Sequence, residues 1–580
     1  MLQSVSRRSK RSPITEAFKS CRSAYLSIGA ISLVINLLML TGPIFMLQIY
    51  DRVLSSASVP TLIVIAVFAG VLYVFFALLE GIRARSLNRV SQEIDAQLSA
   101  ASYAASLKLP LRLGAQGKNV DPVRDLETMR QFWGGQGPSA IFDVPWMPVY
   151  LAIVFALHFW LGVLALAGAV VILALVIANE LLSREPSRAL SMMNGQRSGF
   201  VNGTRRNAEV IRAMGMNQTL VEQWQRSNED YYDVQSKAAD RQSFFATVIK
   251  ALRFILQSAV LGVGAWLAIK QEVSPGVMIA ASIITSRALA PVEQAVAHWR
   301  GFLASRQSRT RLEQALQAMD EEEPQTELPL PKDNLAVENL ATAAPGEKVL
   351  TFKGATFQLR AGDGLGVIGP SGSGKTSMIR ALIGVWPILR GSVRFDGAEP
   401  NQWSEERLGA AIGYLPQDVE LFDGSIADNI ARFSAQRQDE DVLRAARMAN
   451  VHDLITSLPD GYDTQVGDGG ARLSAGQRQR IGLARALYGE PFLVVLDEPN
   501  SNLDSEGEAA LMEAIKALRE KGSIVIVVAH RPSAIATVDY LLVIKEGQQV
   551  AFGPKDEVLQ KVGASVGKPA PVGAVAHDRK

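Results

Sequence analysis

"IGPSGSGKTS" occupies residues 368–377. From Gly369 to Thr376 it fits the pattern G-x-x-x-x-G-K-[ST] at every fixed position. Gly369, Gly372 and Gly374 let backbone N–H groups converge on phosphate oxygens, and Pro370, Ser371, Ser373 and Ser377 complete the loop. Lys375 has the length to reach β- and γ-phosphates, and the Thr376 hydroxyl is a candidate Mg²⁺ ligand. The flanks agree. "LGVIG" before the loop reads as a buried strand and "SMIRALIGVW" after it as a helix, whose N-terminus adds partial positive charge.

Downstream, "PFLVVLDEP" (491–499) is an apolar run ending in two carboxylates, Asp497 and Glu498. Taken alone, the pair is a strand end entering a solvated turn. Beside a phosphate cradle, Asp497 can hold Mg²⁺ through water and Glu498 can polarise an attacking water. Around this pair stand Gln417 in "YLPQD", "LSAGQRQR" at 473–480, "SNLD" ending at Asp504, and His530 in "VVAHRP".

The bulk numbers narrow the classes. The chain has 580 residues, enough for more than one domain. Its net charge of +2 gives no reason to expect a nucleic-acid partner. A single cysteine, Cys21, excludes an internal disulfide and a cysteine-built metal site.

The first half is apolar with basic intervals. Ser23–Tyr50 and Val53–Leu79 are free of charge, and the first is too long for a signal-peptide core of about 7–15 residues. Val144–Asn179 is a third uncharged run, too long for one crossing of about 20 residues, and it divides near His158-Phe159-Trp160. Phe244–Ile269 and Val277–Val296 complete six spans. The interval Gly81–Asp143 carries eight Lys and Arg residues and Ser183–Ser243 nine, while the opposite loops hold only Arg52 and Lys270. Positive charge marks the cytoplasmic side, so both termini are expected there. The two basic intervals read as helical hairpins or as levers that touch what lies below. Asp125-Leu126-Glu127 and Glu209-Val210-Ile211 are each either a coupling helix or a plain bend. Gly42-Pro43 is expected to bend the first span. Asp51-Arg52 is a polar turn or an adaptor contact. Arg287 lines a path, pairs with Glu293 or snorkels.

Prolines 324, 329 and 331 and the acidic run from Asp320 mark the boundary. The expected layout is a basic N-terminal segment (1–23), a six-span transmembrane domain (24–319), a linker (320–332), an α/β P-loop domain (333–560) and an unstructured tail (561–580).

The order of cradle, Gln417, "LSAGQ", "VVLDEP", "SNLD" and "VVAHRP" over about 333–560 resembles the nucleotide-binding domain of an ABC transporter. The fold class this implies is an α-helical transmembrane domain of ABC exporter type followed by an α/β P-loop nucleotide-binding domain. The resemblance implies that Ser474 and Gly476 contact ATP held by the opposite subunit. It also implies that His530 holds the γ-phosphate, that Gln417 senses Mg²⁺ and the attacking water, and that Asp504 lies at a homodimer seam. Two positions depart from the family pattern. Ala475 stands where a glycine is usual, and "ATAAPGEKVL" (341–350) has no aromatic for the adenine.

"GPIFMLQIYDRVLSSASVPTL" (42–62) and "FDVPWMPVYLAIVFALHFWLGVLALAG" (142–168), with "LDEPNSNLD" and "AHRPS", resemble type I secretion exporters of the protease-exporter (PrtD-like) branch. That resemblance implies an ATPase motor in the Gram-negative inner membrane, in contact with lipid. Its partners would be a periplasmic adaptor, an outer-membrane duct and unfolded polypeptide cargo with an uncleaved C-terminal signal. With about 23 residues before the first span, no peptidase domain is expected there. A lipid or small-molecule exporter of the same architecture stays open, as does an ATP-gated regulatory membrane protein. Glu498 argues for turnover.

Overall fold

In lipid every backbone N–H and C=O must be satisfied within the chain, so the uncharged runs fold as helices. A computed structural model describes residues 12–114, 117, 120–319, 328–529 and 535–566. The basic segment 1–11, the linker residues 320–327, His530 and the tail from 567 lie outside the described residues. The chain forms two units, one of Met1–Leu109 and Lys118–Glu321 and one of Pro110–Gly117 and Glu322–Lys580.

In the first unit, α1 (Pro13–Ser20) leads into a broken first span. That span is α2 (Arg22–Leu38), α3 (Thr41–Gln48), a π-helical turn at Ile49–Val53 and α4 (Leu54–Ser56). The break falls at Met39–Leu40, just ahead of Gly42-Pro43, with Pro43 in the first turn of the new helix, where no N–H is needed. The second span belongs to α5 (Val59–Leu113), which continues without interruption into the first basic interval. After α6 (Pro122–Trp133) and α7 (Gly137–Asp143) come the remaining spans, in α8 (Met147–Leu157), α9 (Phe159–Arg206), α11 (Asn217–Ile269) and α12 (Pro275–Ala297). A short α10 (Ala208–Ala213) joins α9 to α11, and α13 (Trp299–Gln317) follows α12. Among the described residues, six helical segments are long and apolar enough to cross a membrane.

His158 is extended (φ −164°, ψ 135°) and separates spans three and four at the aromatic turn. Leu161, Ala165, Ala169 and Ile172 recur at helical spacing on α9 and pack with Ile249, Leu256 and Val260 of α11. Ile63, Val64, Val67, Phe68 and Val71 of α5 are exposed, an apolar face suited to lipid.

Several expectations change. Asp51 is not in a polar turn. It sits on the π-helical segment, where its carboxylate accepts from the Gly276 N–H (2.8 Å) and the Ser274 hydroxyl (2.5 Å) at the start of α12. Glu293 pairs with Arg253 at 2.9 Å rather than with Arg287. Arg83, one of the eight basic residues of the first interval, is buried against Asp143 (2.9 Å), which also accepts from Asn36 (2.8 Å). Asp125-Leu126-Glu127 lies within α6, where Asp125 is buried and ion-paired with Arg311 of α13. Glu209-Val210-Ile211 forms the middle of α10, with Val210 exposed.

The second unit begins with antiparallel β1 (Asn334–Ala343), β2 (Leu350–Phe352), β3 (Phe357–Arg360) and β5 (Ile388–Phe395), with β1 pairing all three others. The main sheet has the order β10-β9-β4-β8-β7-β6. Its parallel strands are β4 (Gly364–Ile368), β6 (Ile412–Leu415), β7 (Leu493–Asp497), β8 (Ile524–Val528) and β9 (Tyr540–Lys545); β10 (Gln548–Pro554) runs antiparallel. β7 and β8 are apolar throughout except for the terminal Asp497, as strands covered on both faces must be. Leu493, Val495, Ile524 and Ile526 face Met378, Ile379 and Leu382 of α14 (Lys375–Leu382). Val494, Leu496, Val525 and Val527 face Ile481 of α19 (Ala475–Leu487) and Leu511, Ile515 and Leu518 of α20 (Ser505–Glu520).

Between these lie α15 (Glu405–Ala411), α16 (Ile426–Ile430), α17 (Asp439–Met448) and α18 (His452–Thr456). The final α21 (Lys555–Val566) continues past residue 560 and past Gly563, where an unstructured tail was expected.

Candidate nucleotide site

The strand order puts the functional loops together. β8 lies between β4 and β7, so the loop after β4 and the carboxylates ending β7 share the carboxyl edge of the sheet, where open α/β sheets bind ligands. Gly369 cannot be another residue, because a Cβ there would stand 2.1 Å from the Ile544 carbonyl oxygen. Gly374 adopts φ +94° as the residue before α14. It gives no side-chain cap, so the helix's first N–H groups have no side-chain acceptor.

Lys375 is buried, and its Nζ donates to the carbonyls of Gly369 (3.0 Å) and Pro370 (2.9 Å). Burial lowers its pKa, opposed by Glu498 and Asp497. Asp497 is fully buried, and neither carboxylate oxygen has a hydrogen-bond partner of good geometry. Burial therefore pushes its carboxyl up, with the Thr376 hydroxyl pulling the other way and Glu498 adding to the rise. Such an orphaned carboxylate beside a hydroxyl suits a hard divalent cation, which prefers oxygen ligands. The buried Ser373 hydroxyl is likewise unpartnered.

Glu498 takes φ +52°, and its N–H donates to the Val528 carbonyl at 3.0 Å, which ties the end of β7 to the end of β8. Gln417 Nε2 donates to Glu498 Oε2 at 3.3 Å. Ser371, Gly372, Thr376 and Ser377 remain at least partly exposed along the loop.

Ser474, before α19, is engaged at both ends of a capping box. Its hydroxyl accepts from the Gln477 N–H (3.2 Å) and its own N–H donates to Gln477 Oε1 (2.8 Å). Ala475 is exposed, so its methyl meets no crowding. Gly476 approaches the Asn502 carbonyl, which a Cβ would meet at 3.0 Å. Asp504 caps α20 by accepting from the Gly507 N–H (2.9 Å) and pairs with Arg480 of α19 (2.9 Å). Those contacts, the Gly507 N–H foremost, hold its carboxyl below the usual range.

A family model described as "ABC transporter" matches residues 352–501, and one described as "ABC transporter transmembrane region" matches 25–290. The chain is 49% identical over 546 residues to the type I secretion system ATP-binding protein PrsD of Rhizobium meliloti (strain 1021), covering 94% of each chain. The chain belongs to the ABC transporters of type I secretion. The cyclolysin secretion/processing ATP-binding protein CyaB of Bordetella pertussis is 29% identical to this exporter over 92% of the exporter and 75% of CyaB. The leukotoxin translocation ATP-binding protein LktB of Mannheimia haemolytica is 28% identical over 93% of the exporter and 77% of LktB. A bacterial Atm1-family ABC exporter solved with ATP bound has the same fold, with a TM-score of 0.80 over 95% of this chain and 99% of that one, at 20% identity. The exporter is thus a multi-pass membrane protein and an ATPase coupled to transport.

Motif reading of the exporter's site missed Arg480 and Gln479. The first holds Asp504, and the second is buried and donates to the Pro499 carbonyl at 3.1 Å, beside the carboxylates. Both lie in the quoted "LSAGQRQR", and their spacing on α19 was the available signal. It missed Arg432 as well, whose guanidinium donates to the carbonyls of Gly409, Ile412, Arg485, Ala486 and Tyr488. No side-chain pattern marks a residue that binds only carbonyls.

Proposed function

We propose that the chain works as a homodimer in the Gram-negative inner membrane, exporting unfolded polypeptides that carry a C-terminal signal. An adaptor and an outer-membrane duct would complete the path. The observation that carries this reading is the 49% identity to a type I secretion ATP-binding protein, which extends across both the spans and the nucleotide unit.

In this reading the loop from Gly369 to Ser377 holds the phosphates of ATP, with Lys375 exchanging its two carbonyl acceptors for phosphate oxygens. Thr376, Asp497 and Gln417 hold Mg²⁺, directly or through water, and the cation would neutralise charge on the phosphates. Glu498 accepts a proton from the attacking water while Gln417 positions that water. His530 holds the γ-phosphate. Ser474 and Gly476 complete the site of the other subunit, with Asp504 at the seam between copies. Closing two copies on two nucleotides changes the spacing of the long helices that continue α5, α9 and α11 beyond the membrane.

The test is the ATPase rate of the purified full-length chain, measured with C-terminal fragments of proteins encoded beside it. A rate changed by C-terminal fragments and not by N-terminal ones is the expected result. Stimulation by lipids or small apolar compounds, with indifference to the fragments, would replace polypeptide by lipid or drug as cargo.

A further inference from the structure

With Glu293 taken by Arg253, Arg287 stands without an ion-pair or hydrogen-bond partner among the described residues. It lies twelve residues past Pro275 and ten before Ala297 on α12. At about 1.5 Å per residue this places it near the middle of a hydrocarbon core of about 30 Å. Arg287 borders a cavity of about 150 Å³ otherwise walled by apolar and aromatic groups, among them Met39, Phe45, Phe76 and Tyr73. The break in the first span opens this cavity. At Met39–Leu40 the helix is interrupted, and at Gly42 the missing side chain leaves room for the Tyr73 hydroxyl, which a Cβ would meet at 3.1 Å.

An unpaired cation at that depth is expensive and marks a functional position. Its ligand must bring a negative charge to mid-membrane together with apolar surface. Lipid headgroups lie at the interface, far from this depth, whereas a chain being exported must pass it.

We propose that Arg287 and this cavity form a recognition site for a carboxylate borne by an apolar stretch of the exported polypeptide, either its C-terminus or an acidic side chain. The guanidinium takes the carboxylate, and Phe45, Phe76 and Met39 take the neighbouring apolar side chains. This rests on the reading of the chain as a polypeptide exporter.

The full-length protein in nanodiscs of zwitterionic lipid is titrated with three fluorescent, N-acetylated apolar peptides. One has a free C-terminal carboxylate, one a C-terminal amide, and one is the amide with a single internal aspartate. At least one carboxylate peptide is expected to bind about tenfold or more tighter than the plain amide, the worth of a charge-assisted hydrogen bond. Whichever carboxylate peptide binds tighter identifies the terminal or the side-chain source. Arg287→Met should abolish the difference, Arg287→Lys should keep part of it, and both should retain the basal ATPase rate. Equal binding of all three peptides, or a preference that survives Arg287→Met, overturns the site while leaving polypeptide export standing. Failure of every peptide, with or without Arg287-dependent binding of dodecanoate, overturns the site as well. If C-terminal fragments also leave the ATPase rate unchanged, the export reading falls with it.

Discussion

Glu498 and Asp497 are adjacent in sequence and opposite in circumstance. Glu498 is half-buried, hydrogen-bonded to Gln417 and held by a left-handed backbone, while Asp497 is sealed in the sheet without a hydrogen-bond partner of good geometry. The first suits a proton acceptor and the second a metal ligand. Glu498→Gln preserves shape and removes the base, so hydrolysis should slow by about 10²–10⁴-fold with ATP binding retained. Single-turnover kinetics beside nucleotide-binding titration checks this, and near-normal turnover would remove Glu498 from the chemistry. For Asp497 the sign of the pH effect follows from its raised pKa. Between the ordinary value of 3.8 and the folded value, the folded protein holds a proton that the unfolded chain has released. Stability from this group is therefore full below the ordinary value and is lost as pH rises through the folded one. As pH rises from the ordinary carboxylate value toward neutral, nucleotide-free wild type should lose more stability than Asp497→Asn, read from denaturation midpoints. Parallel profiles would refute the assignment.

Helix ends are where elements depend on distant residues. Arg432 gathers carbonyls at the end of α15, at the start of β6 and at the C-terminus of α19, where the helix dipole favours a cation. Burial among these groups, with Arg485 near, pushes its pKa down to about 10, so it stays charged at neutral pH. Arg432→Ala strands several buried carbonyls and should cost about 2–4 kcal/mol of stability in the nucleotide unit. Arg432→Lys, with three donors for five, should recover part of it. A thermal melt unchanged by Arg432→Ala would show that the clamp contributes nothing. Asp51 plays the corresponding role at the start of α12, and its carboxylate lies so close to Gly276 that a Cβ there would come within 2.6 Å of it.

At the scale of the whole molecule, each nucleotide site is proposed to draw on two copies. Lys375→Ala disables a cradle and Gly476→Asp disables the segment offered to the partner. Co-assembled, the two variants recreate one intact site per pair. ATPase activity well above that of either variant alone is the expected outcome, with co-purification by two different tags as the measurement. No recovery in verified mixed pairs would mean that each copy hydrolyses by itself.

The six spans, the helical hairpins of the basic intervals, the strand–cradle–helix order and the family were legible in the sequence. Each depends on short-range pattern: uncharged length, helical spacing, glycines before a lysine, carboxylates after a buried run. The partners of Arg83, Glu293, Arg432 and Asp51 were not. Asp51 and Ser274 are separated by 223 positions, and they meet only because the bundle sets the register of one span against another. Pattern fixes which backbone bonds a segment makes and which face it buries. Which charge finds which partner is decided by packing, because an ion pair needs a few ångströms of proximity that no local spacing encodes.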